Sequence, residues 1–382
     1  MNPRNRRALA ASAAATALGL LASGCAGTAS ATSSDGTVNI GVVVSTTGAA
    51  APFGTAQQRA LKLAEKDINA SGILASRRIH FEFTDDHSQV AQASTLYDQL
   101  INADQVAAII GPTSSTSAQT TSPVAQSAGV PVLLVSASAT KGITDVGDKI
   151  WRDSLTDSQL VPQAVAAAKA RYHIKRAVLL YADDDATTTS SAKTFEAAMR
   201  AQGIQLAAKL SFASTDKDFA AQLTQAKQAN PDALFVAAVP QGGIGLLQQA
   251  RQLGLNQPVV GSNGFNSPKF IGGAGAAANN TLVASAWDSH SADPLSKAFV
   301  AEYRKAYGTD PDQFGAQAYA GAFILAHAIA TGGADRAGIL AGLKQTKNLD
   351  TVLGSFNFTA GRDGNYRAVP LVIENGVYSP IN

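Results

Sequence analysis

The chain has 382 residues, 46% of them hydrophobic, 15% charged and 6% aromatic, and its 30 Lys+Arg against 28 Asp+Glu give a formal charge of +2. At roughly 100–200 residues per domain this length suggests two globular units, and the balance is too apolar for disorder and lacks the periodic glycine of collagen. Without Arg4, Arg6 and Arg7, which lie in the leader described next, 27 basic residues face 28 acidic ones, and no long Lys/Arg block offers a nucleic-acid-binding surface.

The three arginines precede an uncharged, largely apolar stretch over residues 8–21. This is short for a bilayer-spanning helix, which needs about 20 residues, and suits the apolar region of an export signal. The stretch ends in Leu21-Ala22-Ser23-Gly24-Cys25, and Cys25 is the only cysteine. That ending resembles a bacterial lipobox, in which the cysteine is diacylated and becomes the first residue after cleavage. The resemblance implies a signal peptide over residues 1–25 and lipidation at Cys25. It also implies an extracytoplasmic protein anchored to the bacterial cell membrane through that lipid. The Arg6-Arg7 pair leaves the export route, general secretory or twin-arginine, open. Residues 26–36 (AGTASATSSDG) are small, polar and aperiodic, and read as a flexible tether.

From residue 38 the chain alternates strands and helices. Val38–Ser45 is a β-branched run with the length of a buried parallel strand. Ala60, Leu61, Ala64 and Ile68 then share one helical face over 56–68. A strand at 78–84, a helix at 91–103, a strand at 106–110, a helix at 115–127 and a strand at 130–135 follow. The rhythm restarts with strands at 177–181, 206–212, 233–238 and 258–261, separated by helices at 192–201, 219–229 and 246–253. Two such βαβα runs point to an α/β protein of two doubly wound parallel-sheet lobes. The tail starts no third run: a strand at 282–286, helices at 294–307, 313–330 and 336–343, and strands around Phe356 and Leu371 suit a return to the first lobe and a last visit to the second.

Signs of catalysis or metal binding are weak. The five histidines (His80, His87, His173, His290, His327) are scattered without an H-x-x-x-H pair, and no G-x-S-x-G elbow or Walker A pattern occurs. Asp85-Asp86-His87 and Asp183-Asp184-Asp185 follow strands and read as solvated turns. Gly272-Gly273-Ala274-Gly275 lacks the strand–helix context of a dinucleotide loop and reads as a surface loop. No enzyme is expected, and no cofactor or metal.

The binding signal lies at two strand ends. Gly111-Pro112-Thr113-Ser114-Ser115-Thr116-Ser117 opens a helix, where free backbone N–H groups, hydroxyl donors and the positive end of the helix dipole make a seat for a carboxylate. Ser136-Ala137-Ser138-Ala139-Thr140 ends the next strand with a second hydroxyl cluster. Each cluster also reads as a helix cap or polar turn. Donors on adjacent strand ends without a base between them suggest holding an anion, not transforming it.

The order of motifs from the first strand to the last resembles the Leu/Ile/Val-binding family of ABC-transporter solute-binding proteins. The matching pieces are IGVVVSTTG…FG, ALKLAEKDINASGI, the Asp pair at 85–86, IIGPTSSTS, PVLLVSASAT, WRDSLTDSQ, KDFAAQLTQAKQANPDALFVA, LLQQARQLGL and GSNGF. The resemblance implies the type I periplasmic-binding-protein fold, with two lobes joined by a three-crossover hinge. Lobe I is expected at 37–155 and 286–357, and lobe II at 156–285 and 358–382. It also implies a monomer that captures a small amino-acid-like or carboxylate-bearing molecule and delivers it to an ABC permease with its ATPase. The alternative is a ligand sensor of the same fold acting on a regulator. By the same resemblance, Ser115 and Thr140 hold the ligand carboxylate, the Ser138 carbonyl meets its ammonium, and Phe53 and Phe314 are aromatic walls. Asn263 stands where amino-acid-specific members carry the acidic partner of the ammonium. Thr187 and Val239 stand where the family has aromatic contacts. Asp183, Asp184 and Asp185 are the candidates for the missing counter-charge.

Overall fold

The computed structural model describes residues 36–381. The signal peptide, Cys25 and the tether up to residue 35 lie outside the described residues. The first sheet is built by β1 (Thr37–Val44), α1 (Ala51–Ser71), β2 (Arg78–Asp85), α2 (Val90–Asn102), β3 (Ala108–Ile110), α3 (Ser115–Ala128), β4 (Val132–Leu134) and β5 (Ile150–Arg152). Its five strands run parallel in the order β2-β1-β3-β4-β5. The apolar run of β1 follows from its central place: Ile40, Val42 and Val44 pack into the core on one face, and Val43 into that on the other.

The second lobe begins with α4 (Asp157–Tyr172) and continues through β6 (Arg176–Ala182), α5 (Ala186–Ala201), β7 (Gln205–Phe212), α6 (Ala220–Gln228), β8 (Ala233–Ala237), α7 (Pro240–Gln252), β9 (Val259–Gly261), α8 (Pro268–Ala274) and β10 (Thr281–Val283). Three helices follow, α9 (Pro294–Tyr307), α10 (Gln313–Gly332) and α11 (Arg336–Gln345). They lead to β11 (Leu349–Thr351), β12 (Gly354–Phe358), β13 (Gly364–Asn365), β14 (Leu371–Glu374) and β15 (Val377–Pro380). The second sheet has seven strands in the order β15-β14-β10-β9-β8-β6-β7, and only the β14 and β15 pairings are antiparallel. Helix α10 packs between α1 and α11, and its buried face joins the core beneath β1.

The last crossing falls later than expected. Phe358 pairs with Gly364, and Asn357 with Asn365, in a small antiparallel sheet of β11, β12 and β13, so residues 358–365 do not join the large sheet, which the chain enters only at β14. Helix α4, between the two βαβα runs, was not expected. Pro162 interrupts its pattern, and its start is fixed by a capping box of Thr156 and Gln159. Helix α7 begins six residues before the expected start, in a glycine-rich stretch. A Cβ at Gly243 would lie 2.3 Å from the Phe265 ring, so this glycine lets the helix approach the aromatic pair Phe265–Phe270. The Gly272–Gly275 segment is no free loop. It closes α8 and enters a short 3-10 turn at 275–278.

Candidate functional site

Every wall of the main cleft is the C-terminal end of a strand or the first turn of a helix. Strands β1 and β2 end in register, Val44 beside Asp85. The residues beyond them are tied together: Ser45 Oγ donates to Asp86 Oδ1 at 2.5 Å, and Ser45 N to Thr113 Oγ1 at 3.0 Å. Asp85-Asp86 is therefore not a solvated turn. Asp86 is fully buried, and burial raises its pKa. Burial also pushes Asp85 upward, but hydrogen bonds from Thr46, His87 and Thr47 outweigh it and hold the group at about 2. Both carboxylates anchor the loop that leads into α1 and places Phe53.

Between the lobes lies a cavity of about 250 Å³. Phe53 from α1 and Phe314 from α10 form one wall, with ring centroids 4.2 Å apart and planes tilted by 39°. The first lobe adds hydroxyls from Ser114, Thr116, Ser136 and Ser138, and the second lobe adds Ser262 and Asn263 from the end of β9. Asp184 and Asp185 are the only charged side chains on the wall among the described residues. Of the six residues expected to bind ligand, Phe53, Ser138, Asn263 and Phe314 thus meet at one cavity.

Ser115 and Thr140 do not line it. Ser115 is fully buried, and its Oγ accepts from Ala139 N at 3.2 Å, pinning the second hydroxyl cluster against the first. Thr140 gives its backbone N–H to Ser190 Oγ at 3.0 Å, and its Oγ1 is buried with no partner among the described residues. The Ser138 carbonyl, expected to face an ammonium, accepts from Asp157 N at 2.8 Å. The Ser138 hydroxyl lies beside the Asp157 carboxylate without reaching a well-formed hydrogen bond. Burial pushes Asp157 up to about 6 against the opposing pull of neighbouring serine hydroxyls, one of them Ser191 Oγ at 2.9 Å.

The acidic triplet after β6 is likewise structured. Asp185 caps α5, its Oδ1 accepting from Thr187 N and Thr188 N at 3.0 Å each. Its Oδ2 accepts from Thr116 Oγ1 at 2.8 Å, and Thr116 Oγ1 in turn accepts from Ala186 N at 3.1 Å, a paired contact from lobe to lobe. Asp184 accepts from Ser214 N and Ser214 Oγ, both at 2.9 Å. Sequence reasoning missed Thr116 and Gln313, whose Nε2 donates to Asn263 Oδ1 at 2.7 Å. Asp followed by a threonine run is a helix-capping signal that could have placed Asp185 at the start of α5. The pairing of Gln313 with Asn263 joins positions 50 residues apart, and no local pattern announces it.

Among the described residues no cluster of His, Cys, Asp or Glu could hold a metal ion, and no helix is long and apolar enough to cross a membrane. The arrangement can enclose and orient a small polar molecule.

Comparison with known proteins agrees with this geometry. The profile of a family described as periplasmic binding protein matches residues 37–371. The Leu/Ile/Val-binding protein BraC3 of Rhizobium johnstonii is 27% identical over 334 residues, covering 84% of this chain and 87% of that protein. A leucine-, isoleucine-, valine-, threonine- and alanine-binding protein of Pseudomonas aeruginosa is 27% identical over 339 residues, covering 87% and 88%. Among solved structures, the branched-chain amino acid transporter substrate binding protein LivJ from Streptococcus pneumoniae, in complex with isoleucine, matches with a TM-score of 0.84 and 28% identity over 90% of this chain and 97% of that one.

Proposed function

We propose, for a chain that belongs to the periplasmic binding protein family, the capture of a small amino-acid-like or carboxylate-bearing molecule between its two lobes and its delivery to an ABC permease. The observation that carries this reading is the cavity between the sheets, walled by strand ends of both lobes and backed by the Phe53–Phe314 pair. In open α/β sheets this is where ligands bind. The relatives named above are binding proteins for branched-chain and small amino acids, which supports a ligand of that size.

In this reading the two hydroxyl clusters of lobe I seat the ligand carboxylate. Ser138 and Thr116 border it directly. Ser115 and Thr140 belong to the same two segments and reach the carboxylate from behind these residues; the Thr140 hydroxyl is buried with no partner among the described residues. A buried hydroxyl without a partner is unfavourable, and an anion placed there relieves it. Phe53 and Phe314 hold the apolar part of the ligand. The protein works outside the cytoplasm, held to the membrane by lipid on Cys25. The chemistry needs no cofactor, because transport energy comes from the partner ATPase.

A ligand touching both lobes favours the closed state by its differential affinity for it. Small-angle scattering with the branched-chain amino acids and their 2-oxo acids is expected to show a smaller radius of gyration when one of them saturates the protein. A ligand that binds tightly while leaving the radius unchanged contradicts capture by lobe closure.

A further inference from the structure

The orientation of the Asn263 amide can be read outward from the backbone. The N–H of Ala286 can only donate, and it donates to Gln313 Oε1 at 2.6 Å. Asn266 Nδ2 at 2.9 Å and Ser285 Oγ at 3.1 Å converge on the same oxygen. The other end of the Gln313 amide is therefore its NH2, which donates to Asn263 at 2.7 Å, and the atom receiving it must be the Asn263 carbonyl oxygen. Gln313 is only 1% exposed, so this chain of bonds is shielded from competing water. The end of Asn263 left over is its NH2. Asn263 lies on the cavity wall, and its Nδ2 has no hydrogen-bond partner among the described residues.

We infer that the ligand atom facing Asn263 is a hydrogen-bond acceptor, an oxygen and not an ammonium, and that Gln313 is the positioning residue that sets this preference. The inference rests on the cleft reading above and narrows its ligand class. An ammonium carries three donors and no acceptor, so against the Asn263 NH2 it would meet donor with donor in a partly desolvated site. Asp184 and Asp185 keep their charge on the same wall, but their oxygens accept from Ser214, from the first turn of α5 and from Thr116, and none of these bonds is to Asn263, so they do not change the donor that Asn263 presents. With the carboxylate held by the lobe I hydroxyls, the neighbouring substituent crosses the cleft toward Asn263. Between acids of one carbon skeleton, the chain selects the 2-oxo acid over the 2-amino acid.

The test is calorimetric titration of the purified protein with matched pairs: L-leucine and 4-methyl-2-oxopentanoate, L-alanine and pyruvate, L-phenylalanine and phenylpyruvate. In any pair that binds, the 2-oxo acid is expected to bind about tenfold more tightly or better, the scale of one hydrogen bond to a matched rather than a mismatched group. Asn263→Asp, which presents only acceptors, is expected to reverse the order. Gln313→Glu keeps the acceptor for the Ala286 N–H but loses the donor to Asn263. At a pH where the introduced carboxyl group is ionised, Asn263 is expected to turn its NH2 toward it, and the preference for the 2-oxo acid to vanish. Tighter binding of the amino acid by the unmodified protein, or a preference unmoved by both variants, overturns the inference and leaves the cleft reading standing. Binding of neither series overturns the carboxylate-binding cleft itself, and the inference with it.

Discussion

Replacing Arg152 by methionine is expected to destabilise the protein by about 2–4 kcal/mol, the scale of losing the hydrogen bonds of a buried guanidinium to two buried carbonyls and a partly exposed carboxylate. Arg152 ends β5, yet its side chain is fully buried. Its Nε and one terminal nitrogen donate to Asp363 Oδ1, at 2.9 and 2.6 Å. The other terminal nitrogen donates to the carbonyls of Ala137 and Ala139, at 2.8 and 2.7 Å. One guanidinium thus ties the hydroxyl cluster around Ser138 to the segment just before β13. Methionine keeps much of the volume but takes the donor from the Ala139 carbonyl, leaves the Ala137 carbonyl with only Ser154 Oγ, and leaves Asp363 Oδ1 with only Thr144 Oγ1 among the described residues. Denaturant unfolding checks the loss, and ligand affinity is expected to fall as well because the Ser136–Thr140 segment is no longer held. A destabilisation below about 1 kcal/mol, the range of an exposed ion pair, would show that the network is not a structural tie.

Removing the hydroxyls of Ser115 and Thr140 is expected to weaken ligand binding strongly while leaving the fold intact. Hydrogen bonds to charged groups contribute roughly 1.5–3 kcal/mol, so each of Ser115→Ala and Thr140→Ala should lower affinity for a carboxylate ligand by about 10- to 150-fold. The structural cost of Thr140→Ala is small, because its Oγ1 has no partner to lose among the described residues. Ser115→Ala also loses the acceptor for Ala139 N, so its effect on stability should be the larger of the two. Titration calorimetry on both variants, with thermal unfolding as the control for folding, separates these contributions. Undiminished affinity in the double variant would return both residues to the roles of packing and loop support.

Much of the architecture is legible in the sequence because parallel strands buried on both faces leave continuous β-branched runs. β1 and β6 are found that way, and α9 falls at the residues its periodicity marks. The order of motifs names the family, and the similarity to Leu/Ile/Val-binding relatives agrees with it. What stays hidden is hidden for physical reasons. Helix α4 carries an internal proline and is Ala-rich, so its pattern has little contrast. Helix α5 starts at Ala186 rather than 192 because Thr187, Thr188 and Thr189, poor helix formers, occupy its first turn and only the Asp185 cap marks the beginning. At the site, the family resemblance brings out Phe53, Ser138, Asn263 and Phe314 but not the contacts made across the cleft. Thr116–Asp185 and Gln313–Asn263 depend on how two lobes meet, and no local spacing encodes that. The aspartate triplet illustrates the gap. Its composition reads as a solvated turn, whereas in the folded chain Asp184 and Asp185 line the cavity and Asp185 also caps a helix.

In the proposed complex the ligand is enclosed between the lobes, with a carboxylate on the lobe I hydroxyls and Asn263 at the opposite side. A crystal structure of the protein grown with the tightest-binding member of the 2-oxo and amino acid pairs tests it most directly. One ligand molecule is expected between the Phe53–Phe314 pair and Asn263, its carboxylate within hydrogen-bond distance of hydroxyls from both the Ser114–Ser117 and the Ser136–Thr140 segments. A ligand bound at any other place, with the cleft empty at saturating concentration, would contradict it.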